Sequence, residues 1–129
     1  MKKIGIASDH AGFDLKEYLK ERLSSFEWKD FGPYSDERVD YPDFGHLLAV
    51  SVESGEVDFG IAICGSGNGL NMTVNKHQGI RSALCWTVEL GELAKQHNNA
   101  PILALPARLI PQELVLAIVQ ASAQSAFDG

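Results

Sequence analysis

A cysteine stands directly before a glycine-rich loop in the segment ICGSGNGLN, residues 63–71. Closely spaced glycines let successive backbone N–H groups converge on an anion, and a helix that follows the loop adds its positive end. A thiol beside a helix N-terminus is stabilised as the reactive thiolate. The segment therefore allows two interpretations: an anion site with a reactive Cys64, or a tight strand-to-helix turn that buries a structural cysteine.

The spacing of the glycines excludes two common phosphate-binding motifs. No Gly-Lys-Ser/Thr follows the loop, so it is not a Walker loop. The third glycine comes one position too early for the G-x-G-x-x-G dinucleotide fingerprint, and the loop follows the third predicted strand instead of the first. The loop therefore needs another explanation.

Two further polar segments stand where predicted elements end. In SDHAG (8–12), Asp9 and His10 place an acceptor and a possible cation at the end of a strand, or Asp9 simply caps the first helix. In KQHNN (95–99), His97 is either functional or complements the dipole of the helix that it ends.

The remaining histidines and the second cysteine are interpreted as structural. His46 and His77 are taken as surface residues, and the four histidines show no close-spaced ligand pair, so no metal site is expected. Cys85 has no glycine loop after it and is assigned to the core.

Five β-like runs alternate with helical patterns. The strands are predicted at 3–8, 27–32, 58–64, 80–85 and 101–106. The helices are predicted at 11–25, 45–57 with a stop near Gly55, 68–77, 87–98 and 111–127, the last with Pro111 as its first residue. The polar segment 33–44 is predicted to be a loop. We therefore expect one α/β domain over 1–129, a three-layer sandwich with a five-stranded parallel Rossmann-like sheet and helices on both faces. Ligands of such sheets bind beyond the carboxyl ends of the strands.

Composition limits the class of protein. Apolar residues make up 45% of the 129 residues, which is enough for a packed core. The net charge of −6 and the lack of a Lys/Arg cluster give no support for a nucleic-acid or membrane-surface partner. No apolar run is long enough for a transmembrane helix. Two cysteines without a leader segment favour a cytoplasmic protein.

Five motifs taken together resemble a known family. SDHAG, DYPD, ICGSGNG, NKHQGIRSALC and AKQHNNA follow one another between about residue 3 and about residue 110. In this order they resemble the ribose-5-phosphate isomerase B family, which includes galactose-6-phosphate isomerase subunits. The resemblance implies an enzyme that interconverts aldose and ketose phosphates without a metal or organic cofactor. It also implies a homodimer, with a tetramer as the alternative, in which the active sites are shared between subunits.

The resemblance assigns catalytic roles. His97, assisted by Ser66, would open the sugar ring, after which a base removes the proton from C2 and the enediolate is reprotonated at C1. The base in this family is either the cysteine before the loop or a glutamate just after it. Here Leu70 follows the loop and Cys64 is present, so the resemblance implies a cysteine base.

The resemblance also assigns binding roles. Asp9 would hydrogen-bond sugar hydroxyls, Tyr41 would line the pocket and Asn98 would hold the open-chain sugar, while His10 and Arg108 would hold the phosphate. His97, Asn98 and Arg108 would face the other subunit's Cys64. The backbone groups that would stabilise the oxyanion belong to the loop residues Gly65, Gly67, Asn68 and Gly69.

One departure from the family leaves the substrate open. Family chains usually continue into a segment with two arginines that grip the phosphate, whereas this sequence stops at SAFDG. Either the sequence is shortened, or phosphate binding is weaker or built differently. A pentose phosphate is the first expectation, and a hexose phosphate such as galactose or allose 6-phosphate is the second. A non-catalytic sugar-phosphate-binding protein is the third, although the presence of Cys64, Ser66 and His97 together argues against it.

Overall fold

The computed structural model describes residues 2–34 and 41–125, with the side chains of 41–43 excepted. A short 3-10 turn, His10–Gly12, follows the first strand. The strands are β1 (Lys3–Ser8), β2 (Glu27–Asp30), β3 (Phe59–Cys64), β4 (Ser82–Leu84) and β5 (Ile102–Pro106). The helices are α1 (Phe13–Arg22), α2 (Tyr41–Glu53), α3 (Asn68–Asn75), α4 (Val88–Gln96) and α5 (Gln112–Gln124).

The five strands form one parallel sheet in the order β2-β1-β3-β5-β4. All six residues of the central strand β3 are buried, which is typical of a sheet covered on both faces. The register pairs Ala62 with Ala7 on one side and with Ala104 on the other. The α/β fold with a five-stranded parallel sheet, predicted from the alternation of patterns, is confirmed.

Large and small residues alternate along the strands, so the two faces of the sheet pack against different helices. The large residues of β3, such as Ile61 and Ile63, pack in one cluster with residues of α1, α4 and α5. The alternate residues, such as Ala62 and Cys64, pack with α2 and α3. A Cβ on Gly60 would lie 3.1 Å from Val52 of α2, so small residues on this face allow close helix packing. Cys64 therefore lies on the α2–α3 side of the sheet.

Several predicted element boundaries differ from those of the structure, most of them by a few residues. The segment 33–44 was predicted to be a loop, but α2 begins at Tyr41, because a proline is tolerated in the first turn of a helix. The same helix ends at Glu53 and Gly55 follows with a φ of 79°, so the predicted stop near Gly55 is confirmed. Pro111 precedes α5 and is not its first residue. The rest of the predicted loop, 35–40, lies outside the described residues.

None of the helices in the described residues is both long and apolar enough to cross a lipid bilayer.

Candidate active site

The glycine loop turns β3 into α3 with little room for side chains. Gly67 has a φ of 78°, and its N–H donates to the carbonyl oxygen of Cys64 at 3.1 Å. A Cβ at this position would lie 2.5 Å from Leu84 and 3.1 Å from the backbone of Leu105. Gly67 is therefore required by the turn itself, both by the left-handed backbone and by the contact with the neighbouring strands.

The end of β5 holds the loop from the other side. The N–H groups of Ala107 and Arg108 donate to the carbonyl oxygens of Cys64 and Gly65, each at 2.9 Å. The Arg108 side chain lies over Gly65, where an added Cβ would be 3.1 Å from a guanidinium nitrogen. A positive charge is thereby placed directly against the loop that follows Cys64.

Two of the loop N–H groups are already used. Gly67 donates to Cys64, as described, and the Asn68 N–H donates to Ser66 Oγ at 3.2 Å. Among the described residues, no acceptor pairs with the N–H groups of Gly65, Ser66 and Gly69. Fewer N–H groups are therefore available to a substrate oxyanion than the sequence predicted, because those of Gly67 and Asn68 are already paired.

A pocket of about 420 Å³ lies beyond the carboxyl ends of β1, β3 and β5. Cys64 is buried, with 5% of its surface exposed, yet it contributes to the wall of this pocket. Ligand-binding residues were expected at this edge of the sheet, and a pocket lies there. The lining residues are Asp9, Cys64, Gly65, Ser66, Gly69, Arg108 and Leu109.

Asp9 combines the two interpretations given to it. Its Oδ1 accepts the N–H of Gly12 at 2.9 Å, so it caps the turn that starts the first helical segment. It also lines the pocket of Cys64. His10 does not line this pocket, and its Nδ1 is buried without a hydrogen-bond partner among the described residues.

A buried ion pair supports the strand end that carries Asp9. Lys16 is fully buried, and its Nζ donates to Asp30 Oδ2 at 2.6 Å and to the carbonyl oxygen of Pro33 at 2.7 Å. Asp30 Oδ1 accepts the N–H of Gly32, whose carbonyl oxygen in turn accepts the N–H of Ser8. Burial alone would raise the pKa of Asp30, but hydrogen bonds from Lys16 and Lys20 hold that pKa below its ordinary value.

His97 and Asn98 lie in a different place. Both are exposed and directly follow α4, which runs back from the carboxyl edge of the sheet to its amino edge. They line a second pocket of about 520 Å³ with residues at the starts of β4 and β5. The strand β5 from Ile102 to Pro106 alone spans about 13 Å, at roughly 3.3 Å per residue. One chain therefore does not bring His97 to Cys64.

The other predicted site residues do not all lie where they were expected. Arg108 was expected to face the Cys64 of another subunit, but the structure places it in the pocket of its own chain, because the turn after β5 is bonded to the glycine loop. Gly67 and Asn68 line neither of the two pockets. Tyr41 begins α2, but its side chain lies outside the described residues.

Several residues at these pockets were missed by sequence reasoning. Leu109 lines the first pocket, and Asn75 and Arg81 line the second. Asn75 and Arg81 belong to the motif NKHQGIRSALC, so a signal for them was present in the sequence. Leu109 gave no such signal.

The expectation for His46 and His77 is wrong in part. His46 Nδ1 lies 2.7 Å from His77 Nε2, and His77 Nδ1 lies 3.0 Å from Glu53 Oε1. They are thus a bonded pair between α2 and the end of α3, which their separation in the sequence did not reveal. Within the described residues, no group of three or more His, Cys, Asp or Glu side chains is arranged to hold a metal ion.

The second cysteine behaves as predicted. Cys85 is 1% exposed, and burial raises the pKa of its thiol to about 11. A thiol with such a pKa stays protonated near neutral pH and is a poor base. Of the two free cysteines, only Cys64 lines a described pocket.

Comparison with known proteins identifies the family of the chain. A family model described as Ribose/Galactose Isomerase matches residues 4–129. Ribose-5-phosphate isomerase B of Escherichia coli is 40% identical over 131 aligned positions, which cover 100% of this chain and 88% of the relative.

Solved structures give the same result. A ribose 5-phosphate isomerase from Thermotoga maritima superposes with a TM-score of 0.97 at 48% identity, over 99% of this chain and 90% of that one. Ribose-5-phosphate isomerase B from Mycoplasma genitalium, with bound ribulose-5-phosphate, has a TM-score of 0.92 at 40% identity, over 98% of this chain and 86% of that one. The family predicted from the five motifs is therefore confirmed: the chain belongs to the ribose/galactose isomerase family and is an isomerase.

Proposed function

We propose that the protein interconverts ribose 5-phosphate and ribulose 5-phosphate, with residues 1–129 acting as one isomerase domain. The observation that carries the proposal is the single pocket in which the Cys64 thiol, the loop N–H groups and the Arg108 guanidinium meet. The similarity to enzymes named ribose-5-phosphate isomerase B supports it, as does the relative that holds ribulose 5-phosphate. No metal or organic cofactor is part of the proposed reaction.

The chemistry requires a base and a place for negative charge. The Cys64 thiolate takes the proton from C2 of the open-chain aldose, and the electron pair of the C–H bond forms the C1–C2 double bond of an enediolate. The negative charge develops on the former carbonyl oxygen, where preorganised N–H donors stabilise it most. Gly65, Ser66 and Gly69 supply such donors. The proton of the C2 hydroxyl then moves to the C1 oxygen, the thiol returns a proton to C1, and the carbonyl group is left at C2.

The roles of Asp9 and Arg108 follow the geometry of the pocket, and those of His10 and Tyr41 rest on the resemblance of the motifs to the family. Asp9 retains Oδ2 for a sugar hydroxyl, since Oδ1 caps the Gly12 N–H. Arg108 provides a cation for the phosphate, and we assign His10 and Tyr41 to the same site. A reducing compartment preserves a free thiol at the reacting position, so we place the protein in the cytoplasm.

Ring opening requires a second copy of the chain. The substrate is mostly cyclic, and its opening is assigned to His97, with Ser66 assisting and Asn98 holding the open sugar. His97 and Asn98 lie in the second pocket, so we propose a homodimer in which each completes the Cys64 pocket of its partner. Leu109 is a large apolar residue of the first pocket and is 70% exposed, which supports coverage by another subunit.

A hexose phosphate is the second candidate substrate. The matching family description names galactose beside ribose, and a pocket of about 420 Å³ in one chain does not by itself select a sugar of five or six carbons. The test is an isomerase assay with ribose 5-phosphate and with galactose, allose and glucose 6-phosphates. We expect the highest kcat/KM with ribose 5-phosphate. A higher value with a hexose phosphate would assign that substrate, and binding without turnover of any of them would leave only a sugar-phosphate-binding protein.

A further inference from the structure

Arg81 belongs to one of the five motifs, but the proposed chemistry leaves it without a role. It lies between α3 and β4, is exposed, and lines the second pocket beside His97 and Asn98. Its one hydrogen bond in the described structure runs from Nη2 to the carbonyl oxygen of Asn99 at 3.4 Å, and it forms no ion pair with a described residue. A guanidinium has five N–H donors, so most of them remain available to a ligand.

The backbone around Arg81 is held firmly. The Asn75 side chain accepts the N–H of Ser82 at 2.8 Å and donates to the carbonyl oxygen of Ser82 at 3.0 Å, which fixes the start of the edge strand β4. Asn99 has a φ of 47°, and its side chain accepts a hydrogen bond from Lys95 at 2.9 Å. The strand start that carries Arg81 and the turn that carries His97 are thus each fixed, and they share one pocket.

The same pocket offers a second unused polar group. Ser82 Oγ is buried and has no hydrogen-bond partner among the described residues. Ser82 lines the pocket next to Arg81. The guanidinium of Arg81 is a suitable donor for the oxygen atoms of a phosphate.

We propose that Arg81 binds the phosphate of the substrate, in the half of the site that carries His97 and Asn98. This inference rests on the shared site of the proposed function, because Arg81 reaches the Cys64 pocket only when the second copy brings His97 there. Several charge-assisted donors bind a phosphate dianion better than one does, and Arg108 is the arginine in the Cys64 pocket. Since the protein has a net charge of −6, attraction for a dianion must come from such local groups. Arg81 and Arg108 would then hold the phosphate from the two subunits.

The test compares Arg81→Gln with a matched control. We expect KM for ribose 5-phosphate to rise at least about tenfold, with kcat changed much less, because a charge-assisted contact to the non-reacting phosphate is lost. The dissociation constant of inorganic phosphate, measured by calorimetry, should rise in parallel, and Arg81→Lys should recover part of both. Arg22→Gln removes the same charge from α1, where the guanidinium lies over Tyr18, and should change neither value.

Three results would overturn the proposal. The first is an Arg81→Gln protein with the KM and phosphate affinity of the wild type. The second is a fall in kcat with unchanged phosphate affinity, which would indicate that Arg81 only positions the turn at His97. The third comes from mixing Arg81→Gln with Cys64→Ala: a trans contact restores sites with the wild-type KM, whereas a contact within one chain restores none.

A different set of results is expected if the proposed function is wrong. If the wild type does not isomerise ribose 5-phosphate, the enzymatic assignment fails, and the phosphate titration alone decides about Arg81. Weaker phosphate binding by Arg81→Gln than by Arg22→Gln would still support the contact, and equal binding would exclude it. If the wild type is active and only the Arg81 results are negative, the function stands and the Arg81 inference is wrong.

Discussion

Cys64 and His97 lie at opposite edges of the same sheet. Cys64 ends β3 at the carboxyl edge, and His97 follows α4 at the amino edge, so each faces a separate pocket of the chain. Neither pocket alone contains both the proposed base and the proposed ring-opening group. This separation leads directly to the prediction that the functional unit contains two chains.

Mixed dimers of Cys64→Ala and His97→Ala should therefore regain activity. With random pairing about half of the dimers are mixed, and a two-fold dimer then has one site with both lesions and one with none, so about a quarter of all sites are intact. The measurement is kcat per site after co-refolding, with mixed dimers verified by mass spectrometry of the native protein. His97→Ala retains some turnover of spontaneously opened sugar, so recovery is judged against the average of the two parents. Activity at or below that average would exclude the shared site.

Gly67→Ala should disrupt the loop far more than Gly79→Ala. Both glycines have positive φ values, 78° and 85°, but a Cβ on Gly67 would lie 2.5 Å from Leu84, whereas a Cβ on Gly79 meets nothing within 4 Å. Gly79→Ala thus measures the backbone strain alone, about 1–2 kcal/mol. Gly67→Ala adds a clash beside Cys64 and should also lower kcat. Urea unfolding and turnover of both variants check this, and equal effects would show that the contact with Leu84 is unimportant.

Replacing Asp30 should destabilise the protein and make its free energy of unfolding depend less on pH in the acid range. Asp30→Asn leaves the fully buried Lys16 ammonium without its carboxylate partner, which typically costs about 3–5 kcal/mol. The folded-state pKa of Asp30 lies below its ordinary value of 3.8, so its contribution is present above that pH and is lost as the pH falls further. We expect the wild type to lose stability below about pH 4 more steeply than the variant, in urea titrations at successive pH values. Parallel pH profiles would contradict this role for Asp30.

The sequence predicted the sheet and the carboxyl-edge pocket because both depend on local patterns. The apolar runs set the strands, and parallel strand ends bring Asp9 and Cys64 to one edge. The start of α2 at Tyr41 was missed, since a polar stretch with prolines resembles a loop until the helix packs on the sheet.

Contacts between distant segments could not be predicted in this way. The His46–His77 pair depends on how α2 packs on α3, and the position of Arg108 depends on two hydrogen bonds between the turn after β5 and the glycine loop. The opposite placement of His97, by contrast, follows from the direction of α4. The predicted order of strands and helices already implies that His97 lies at the amino edge of the sheet.

The central claim is that Cys64 is the base, and replacing it is the most direct measurement. Cys64→Ala removes the group that takes the C2 proton, so turnover of ribose 5-phosphate should fall at least about a hundredfold while circular dichroism and thermal unfolding stay close to the wild type. Cys85→Ala is the matched control, because that thiol is buried and held protonated by a pKa of about 11, and it should keep its kcat. A folded Cys64→Ala protein with near wild-type turnover would contradict the account.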